Sequence, residues 1–208
     1  IDFHALLDGG APEGAPAPVA LTGGELQELV SPMSCEEFVG SWFARASLSV
    51  PGTPQKFDHL FSWDKLRLAL TRGQQIRDRR YNIAASFAGG EANGSSPHLK
   101  EVRHDQVTEL LSAGATLCIT NIHMADPVLA QWAEEIRAQL NFNGTVGVNC
   151  YVSADGSGLP MHYDKRVATT LQIAGNKRWR FSTQPAKAWP DTNEVYEEGQ
   201  MGEHVGKL

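Results

Sequence analysis

The sequence is poor in cysteine and has no long apolar run. Cys35, Cys118 and Cys150 are odd in number and widely spaced in 208 residues. That excludes a disulfide framework and a zinc pattern of paired thiols; the three read as buried thiols of a reducing compartment. No run of 18 apolar residues occurs, so no membrane-spanning helix and no membrane partner are expected. A signal peptide is also missing, although Ile1 is not a natural start and a leader could have been removed. The expected location is intracellular, cytoplasmic or nuclear, where the sequons at Asn93 and Asn143 carry no weight. Basic excess is absent too: 18 Lys and Arg against 24 Asp and Glu give a net charge of −6. There is then no overall field for nucleic acid. The acidity would suit a basic peptide, and solubility explains it equally well. With 41% hydrophobic and 20% charged residues, the chain can bury a sizeable core in one main domain.

What the sequence does have is concentrated in residues 146–181. Val146, Val148, Cys150 and Val152 alternate with Gly147, Asn149, Tyr151 and Ser153, the period of a strand. Residues 154–158, ADGSG, read as a turn. The triplet His162-Tyr163-Asp164 follows; in an extended segment the imidazole and the carboxylate share a face and Tyr163 points away. A neutral nitrogen beside an anionic oxygen is two thirds of the facial triad that holds non-haem Fe(II). Alone the pair is weak evidence, because chance gives one such pair among seven histidines roughly one time in three. Beyond it, residues 167–173 are apolar and β-branched, Gly175-Asn176 suits a hairpin turn, and 177–181 reads as a second strand. Lys177 shares a face there with Trp179 and Phe181, and an inward ammonium between aromatics needs an anion.

The flanks read more plainly. Residues 1–24 are Gly-, Ala- and Pro-rich and predict an extended or flexible arm, with His4 a surface residue. Residues 34–46 predict a helix with Ser34 as N-cap, Glu37 at the capping-box position, and Phe38, Trp42 and Phe43 toward the core. A short strand at 48–50 ends at Pro51-Gly52. Residues 57–70 hold two short helices, the second capped by Asp64, and His59 there is read as structural. Arg72, Arg77, Arg79 and Arg80, with the more distant Lys65, form a solvated basic face. Residues 81–87 predict a strand, 89–97 a loop with His98 and Arg103 just beyond, and 105–112 a helix broken by Gly114. A buried strand follows at 115–120. The cleanest helix has Asp126 as N-cap, Pro127 at its first position, and Leu129, Trp132, Ala133, Ile136 and Leu140 on one face. His123 before it is read as a loop histidine. Residues 182–208 show no strand pattern.

The run N-x-Y-x-S…G-L-P-x-H-Y-D…L-Q-I-x-G-x-K-R-W, from Asn149 to Trp179, resembles the JmjC-type, cupin-like ribosomal oxygenases, which depend on Fe(II) and 2-oxoglutarate. The helix at 34–46 with its short strand and Pro-Gly resembles the opening of the same family. The resemblance implies a mainly β fold with flanking helices: a double-stranded β-helix, or jelly-roll. It would consist of a helical opening segment, 25–113, and a barrel core, 114–208, that stops before the last barrel strands. It implies His162 and Asp164 as iron ligands and Lys177 as the partner of the distal carboxylate of 2-oxoglutarate. Asn149 and Tyr151 would line the co-substrate pocket. The family's third ligand sits in a G-D-x-L-x-x-P…H element, which does not occur here. His204, between Glu203 and Gly206 and without strand alternation, is a poor match, so the third ligand is expected beyond Leu208. The implied activity is a hydroxylase that couples oxidative decarboxylation of 2-oxoglutarate to oxidation of a protein side chain, such as an Arg or His of a ribosomal protein, or of a small molecule. Homodimerisation stays open. Two other readings also stay open: a metal-free cupin-like module binding an anion at Lys177, and an interaction protein that buries His162 and Asp164 as a hydrogen-bonded pair.

Overall fold

Asp126 starts the longest helix. In this computed structural model, which describes residues 2–8, 23–87, 99–182, 187 and 189–195, its carboxylate accepts from the N–H groups of Val128 and Leu129 at 2.9 and 3.0 Å. Asp126 is itself buried; burial lowers the pKa of the nearby buried Lys65, opposed in part by the charge of Asp126. Removing this cap orphans two donors, one buried and one part-buried. Asp126→Ala is therefore expected to cost about 1–2 kcal/mol, read as a lower urea midpoint with an unchanged slope, and Asp126→Asn should regain most of it.

In chain order the elements are α1 (Phe3–Leu7), α2 (Glu25–Val30), α3 (Cys35–Glu37) continued by a π-turn at Phe38–Trp42, and α4 (Trp63–Gly73). Then come β1 (Asn82–Phe87), β2 (Lys100–Glu101), a 3-10 turn, α5 (Val107–Ser112), β3 (Ala115–Thr120), a second 3-10 turn and α6 (Pro127–Gln139). Short strands β4 (Cys150–Ser153), β5 (His162–Tyr163) and β6 (Glu194–Val195) follow. Four strands form one antiparallel sheet in the order β2-β1-β3-β4, and β5 pairs with β6 in a second.

The register of the larger sheet separates two faces. Ile83 and Ala85, then Ala115, Leu117 and Ile119, then Val152, belong to the core, joined by Leu66 and Ala69 of α4, Val107 and Leu111 of α5, and Leu129, Trp132 and Ile136 of α6. Burying each of the larger aliphatic side chains contributes about 1.5–3 kcal/mol, and a one-residue slip would turn all of them outward, so the register is held. On the opposite face Ala84, Cys118 and Tyr151 lie in line, as do Ser86, Thr116 and Ser153. Ser86, Thr116 and Cys118 are only 3%, 0% and 3% exposed, so this face is buried on β1 and β3, while Tyr151 on β4 is 45% exposed.

Several expectations are met. α6 buries Leu129, Trp132, Ala133 and Ile136, β3 is buried along its length, and Gly114 takes φ +93° between α5 and β3, a conformation suited to glycine. Ser34 accepts from the N–H of Glu37 at 3.1 Å as the N-cap of α3. Arg72, Arg77, Arg79 and Arg80 are exposed.

Other expectations are corrected. The described residues are a mixed α/β arrangement and not mainly β: α6 alone has 13 residues, more than the six-residue strands β1 and β3 together. The two sheets are separate, and no barrel is closed among the described residues. Residues 48–50, 167–173 and 177–181 are not strands, because no neighbouring described backbone offers them a ladder; Gly175 nevertheless bends with φ +66°. β4 begins at Cys150 and not at Val146. Conversely, β6 is a strand in a region with no strand pattern. α4 is capped by Ser62, whose hydroxyl accepts from Lys65 N–H at 3.3 Å, and Asp64 sits in its first turn. Lys65 leaves the basic face altogether: it is buried and its ammonium donates to the Leu60 carbonyl at 3.1 Å. Residues 2–8, expected as part of an arm, form α1, with Phe3 buried in the core and Thr108 donating to Asp8 at 2.7 Å. The loop at 89–97, His98 and His204 lie outside the described residues.

Candidate functional site

β4 brings its polar residues over β3. Ser153 accepts from the Thr116 hydroxyl at 3.0 Å and from the Lys177 ammonium at 3.2 Å. The same ammonium lies 5.9 Å from the ring centres of both Tyr151 and Trp179. Burial pulls the Lys177 pKa down, opposed by Cys150. Among the described residues no carboxylate forms an ion pair with Lys177. The period-two face that carries Tyr151 also carries Ser153, so the hydroxyl that supports Lys177 could have been read from the alternation.

Tyr151 is held protonated. Burial pushes its pKa well above the ordinary range, reinforced by Cys118 and by Asp164 and opposed in part by Asn149. Cys118, aligned with Tyr151 across the ladder, is likewise pushed up, first by burial, with Asp164 adding to it. Cys150 faces the other side and is pushed up to about 12, mainly by burial. Asp164 thus acts on the same cluster as Tyr151 and Cys118. Asn149 is engaged elsewhere as well: its Oδ1 accepts from Asn121 N–H at 3.0 Å, tying the run into β4 to the end of β3.

His162 lies on β5. Its Nδ1 is 2.8 Å from the Pro160 carbonyl, which can only accept. Nδ1 is therefore the donor, which leaves Nε2 as the nitrogen available to a metal, the arrangement of a metal-ligating histidine. Tyr163 donates its hydroxyl to Glu194 across the β5–β6 ladder, on the side opposite to that where alternation places His162 and Asp164. That hydrogen bond raises the Tyr163 pKa and lowers that of Glu194. No hydrogen bond joins His162 to Asp164 among the described residues, and no group of three metal-binding side chains converges among them. His123 has a structural partner, its Nδ1 accepting from Val148 N–H at 3.1 Å, and His59 Nε2 lies 3.4 Å from Glu28.

Residues 123–205 match the JmjC domain family. The match covers 83 of the 208 residues, under half of the chain. The matched segment starts just before α6 and includes β4, β5, β6, His162, Asp164 and Lys177. A JmjC domain implies a cupin-like jelly-roll; the described residues hold two separate antiparallel sheets and no closed barrel. The chain is also similar to a Bacillus subtilis (strain 168) protein named "Uncharacterized protein YxbC", 22% identical over 165 residues. The matched region is 78% of this chain and 49% of that protein, so the chain spans about half the length of this relative. No helix among the described residues is long and apolar enough to cross a membrane.

Proposed function

We propose that this chain is the 2-oxoglutarate-binding and iron-binding part of an oxygenase that hydroxylates a protein side chain or a small molecule. The observation that carries the reading is Lys177, a half-buried ammonium whose described neighbours are a hydroxyl and two aromatic rings. A cation withdrawn from water without counter-charge is costly, so the surroundings of Lys177 favour a ligand that brings its own anion. The distal carboxylate of a dicarboxylic acid such as 2-oxoglutarate meets that need.

The surrounding residues fit the same ligand. Ser153 accepts from the Lys177 ammonium and so fixes its position. Tyr151, kept as the neutral phenol, retains a proton to donate to a carboxylate oxygen at neutral pH. Asn149 braces the run into β4 against β3. Toward the metal, His162 offers Nε2 because Pro160 fixes the proton on Nδ1, and Asp164 offers an anionic oxygen. The chemistry supplied by bound Fe(II) is oxidative: O₂ is split with 2-oxoglutarate giving succinate and CO₂, and one oxygen atom ends in a C–H bond of the substrate. What the protein contributes is orientation and the exclusion of water.

Anaerobic titration tests the reading. Fe(II) and 2-oxoglutarate together should produce a visible charge-transfer band that neither gives alone. Fe(II) bound without such a band on adding 2-oxoglutarate overturns the oxygenase reading. Quenching of tryptophan fluorescence by 2-oxoglutarate with no dependence on metal would assign the pocket instead to a metal-free binding module.

A further inference from the structure

β5 and β6 are two residues long each, and a ladder so short does not hold itself. Side chains from residues 192–194 hold it instead. The Tyr163 hydroxyl donates to Glu194 Oε2. Thr192 Oγ1 donates to the other oxygen of that carboxylate at 2.8 Å and so fixes its direction. One residue earlier, Asn193 Oδ1 accepts from the backbone N–H of Lys165 at 3.0 Å. The two anchored residues, Tyr163 and Lys165, are the immediate neighbours of Asp164 on either side.

We propose that Asn193 and Glu194 are positioning residues of the metal site, clamping the backbone on both sides of Asp164 and setting the aim of Asp164 and His162. The inference rests on the proposed function, since it needs those two side chains to be metal ligands. Its mechanical argument is local. Successive side chains of an extended segment point to opposite sides, so fixing the Tyr163 phenol fixes the rotation of the strand about its axis and with it the direction of His162 and Asp164. Fixing the Lys165 N–H sets the peptide plane that leaves Asp164. Ligand sites demand placement within about 0.5 Å, and groups that only orient ligands typically contribute about 10–100-fold in metal affinity. Glu194 and Asn193 touch no ligand atom in this scheme; they act through β5.

The test uses the full chain with Co(II) alone as probe, following both calorimetric affinity and the visible d–d spectrum, with His162→Ala as reference. Tyr163→Phe and Glu194→Ala should each weaken Co(II) binding by about tenfold or more and change the spectrum. The double variant should be no worse than the weaker single, because both remove one contact. Glu194→Gln, which keeps an acceptor oxygen, should recover most of the affinity, a rescue that a general loss of folding would not show. Asn193→Ala should weaken binding separately. Wild-type affinity and spectrum in both Glu194→Ala and Asn193→Ala, while His162→Ala loses Co(II), would overturn the clamp and leave the metal site standing. If His162→Ala binds Co(II) as the unaltered chain does, the metal reading fails and the clamp with it.

Discussion

His162→Ala and Asp164→Ala are each expected to abolish measurable Fe(II) binding while the protein stays folded. Both side chains are half-buried and lie outside the apolar core, so their loss opens no cavity against α4, α5 or α6. Substitutions of that kind usually move stability by no more than about 0.5 kcal/mol, and the thermal midpoint should be unchanged within the shift this allows. Affinity is another matter. Removing a group that merely orients a ligand costs about 10–100-fold, and removing the ligand itself costs more. Asp164 adds a second argument: its charge is felt at Tyr151 and Cys118, so it lies electrically within the cluster that would take the co-substrate. Anaerobic calorimetry with Fe(II) decides the matter, and full affinity in both variants would remove His162 and Asp164 from the metal site.

The parts of the molecule legible in the sequence are those where one local rule and one burial requirement agree. α6 has a capping carboxylate, a proline at its first position and an apolar stripe of helical period, and all three appear where expected. β3 is a continuous apolar-to-small run between Gly114 and Asn121, buried on both faces. Residues 167–173 carry as good a strand composition as β3 does, yet they form no strand. Composition shows that a segment tolerates extended backbone; it does not supply the second backbone that a ladder needs. The reverse holds for β6, where two residues carry no periodicity and pairing with β5 alone makes the strand. At α4 the misplaced cap has a similar origin, since Ser62 and Asp64 are equally able cap residues and only the turn before the helix chooses between them.

The candidate site divides along the same line. Tyr151, Ser153 and Lys177 meet because alternation gives the face of β4 and the register of β3 against β4 sets that face beside Cys118 and Thr116. Cys118 and Thr116 were not legible as members, because their strand reads as uniformly buried and nothing local tells which of its faces is polar. Glu194 and Asn193 were invisible for a stronger reason. Their contacts to Tyr163 and Lys165 span some thirty residues of chain without any pattern that would pair them.

Lys177→Ala is expected to weaken 2-oxoglutarate binding by about tenfold or more, since a hydrogen bond to a charged group contributes about 1.5–3 kcal/mol. Lys177→Arg keeps the charge and should fall between the two, because the guanidinium fork reaches Ser153 and a carboxylate with different geometry. The pH dependence has a definite sign. Burial lowers the Lys177 pKa, and only the protonated form pairs with a carboxylate. A bound anion favours that protonated form and raises the pKa again, so binding takes up a proton wherever the free lysine has begun to lose one. Affinity is therefore full at pH values below the lowered pKa and declines as pH rises through it, earlier than an ordinary lysine would allow. Lys177→Arg should bind independently of pH over that window, because guanidinium keeps its proton. Isothermal titration with 2-oxoglutarate across the alkaline range, on the unaltered chain and both variants, reads all of this at once. Equal affinity in Lys177→Ala and the unaltered chain would place the distal carboxylate somewhere other than at Lys177.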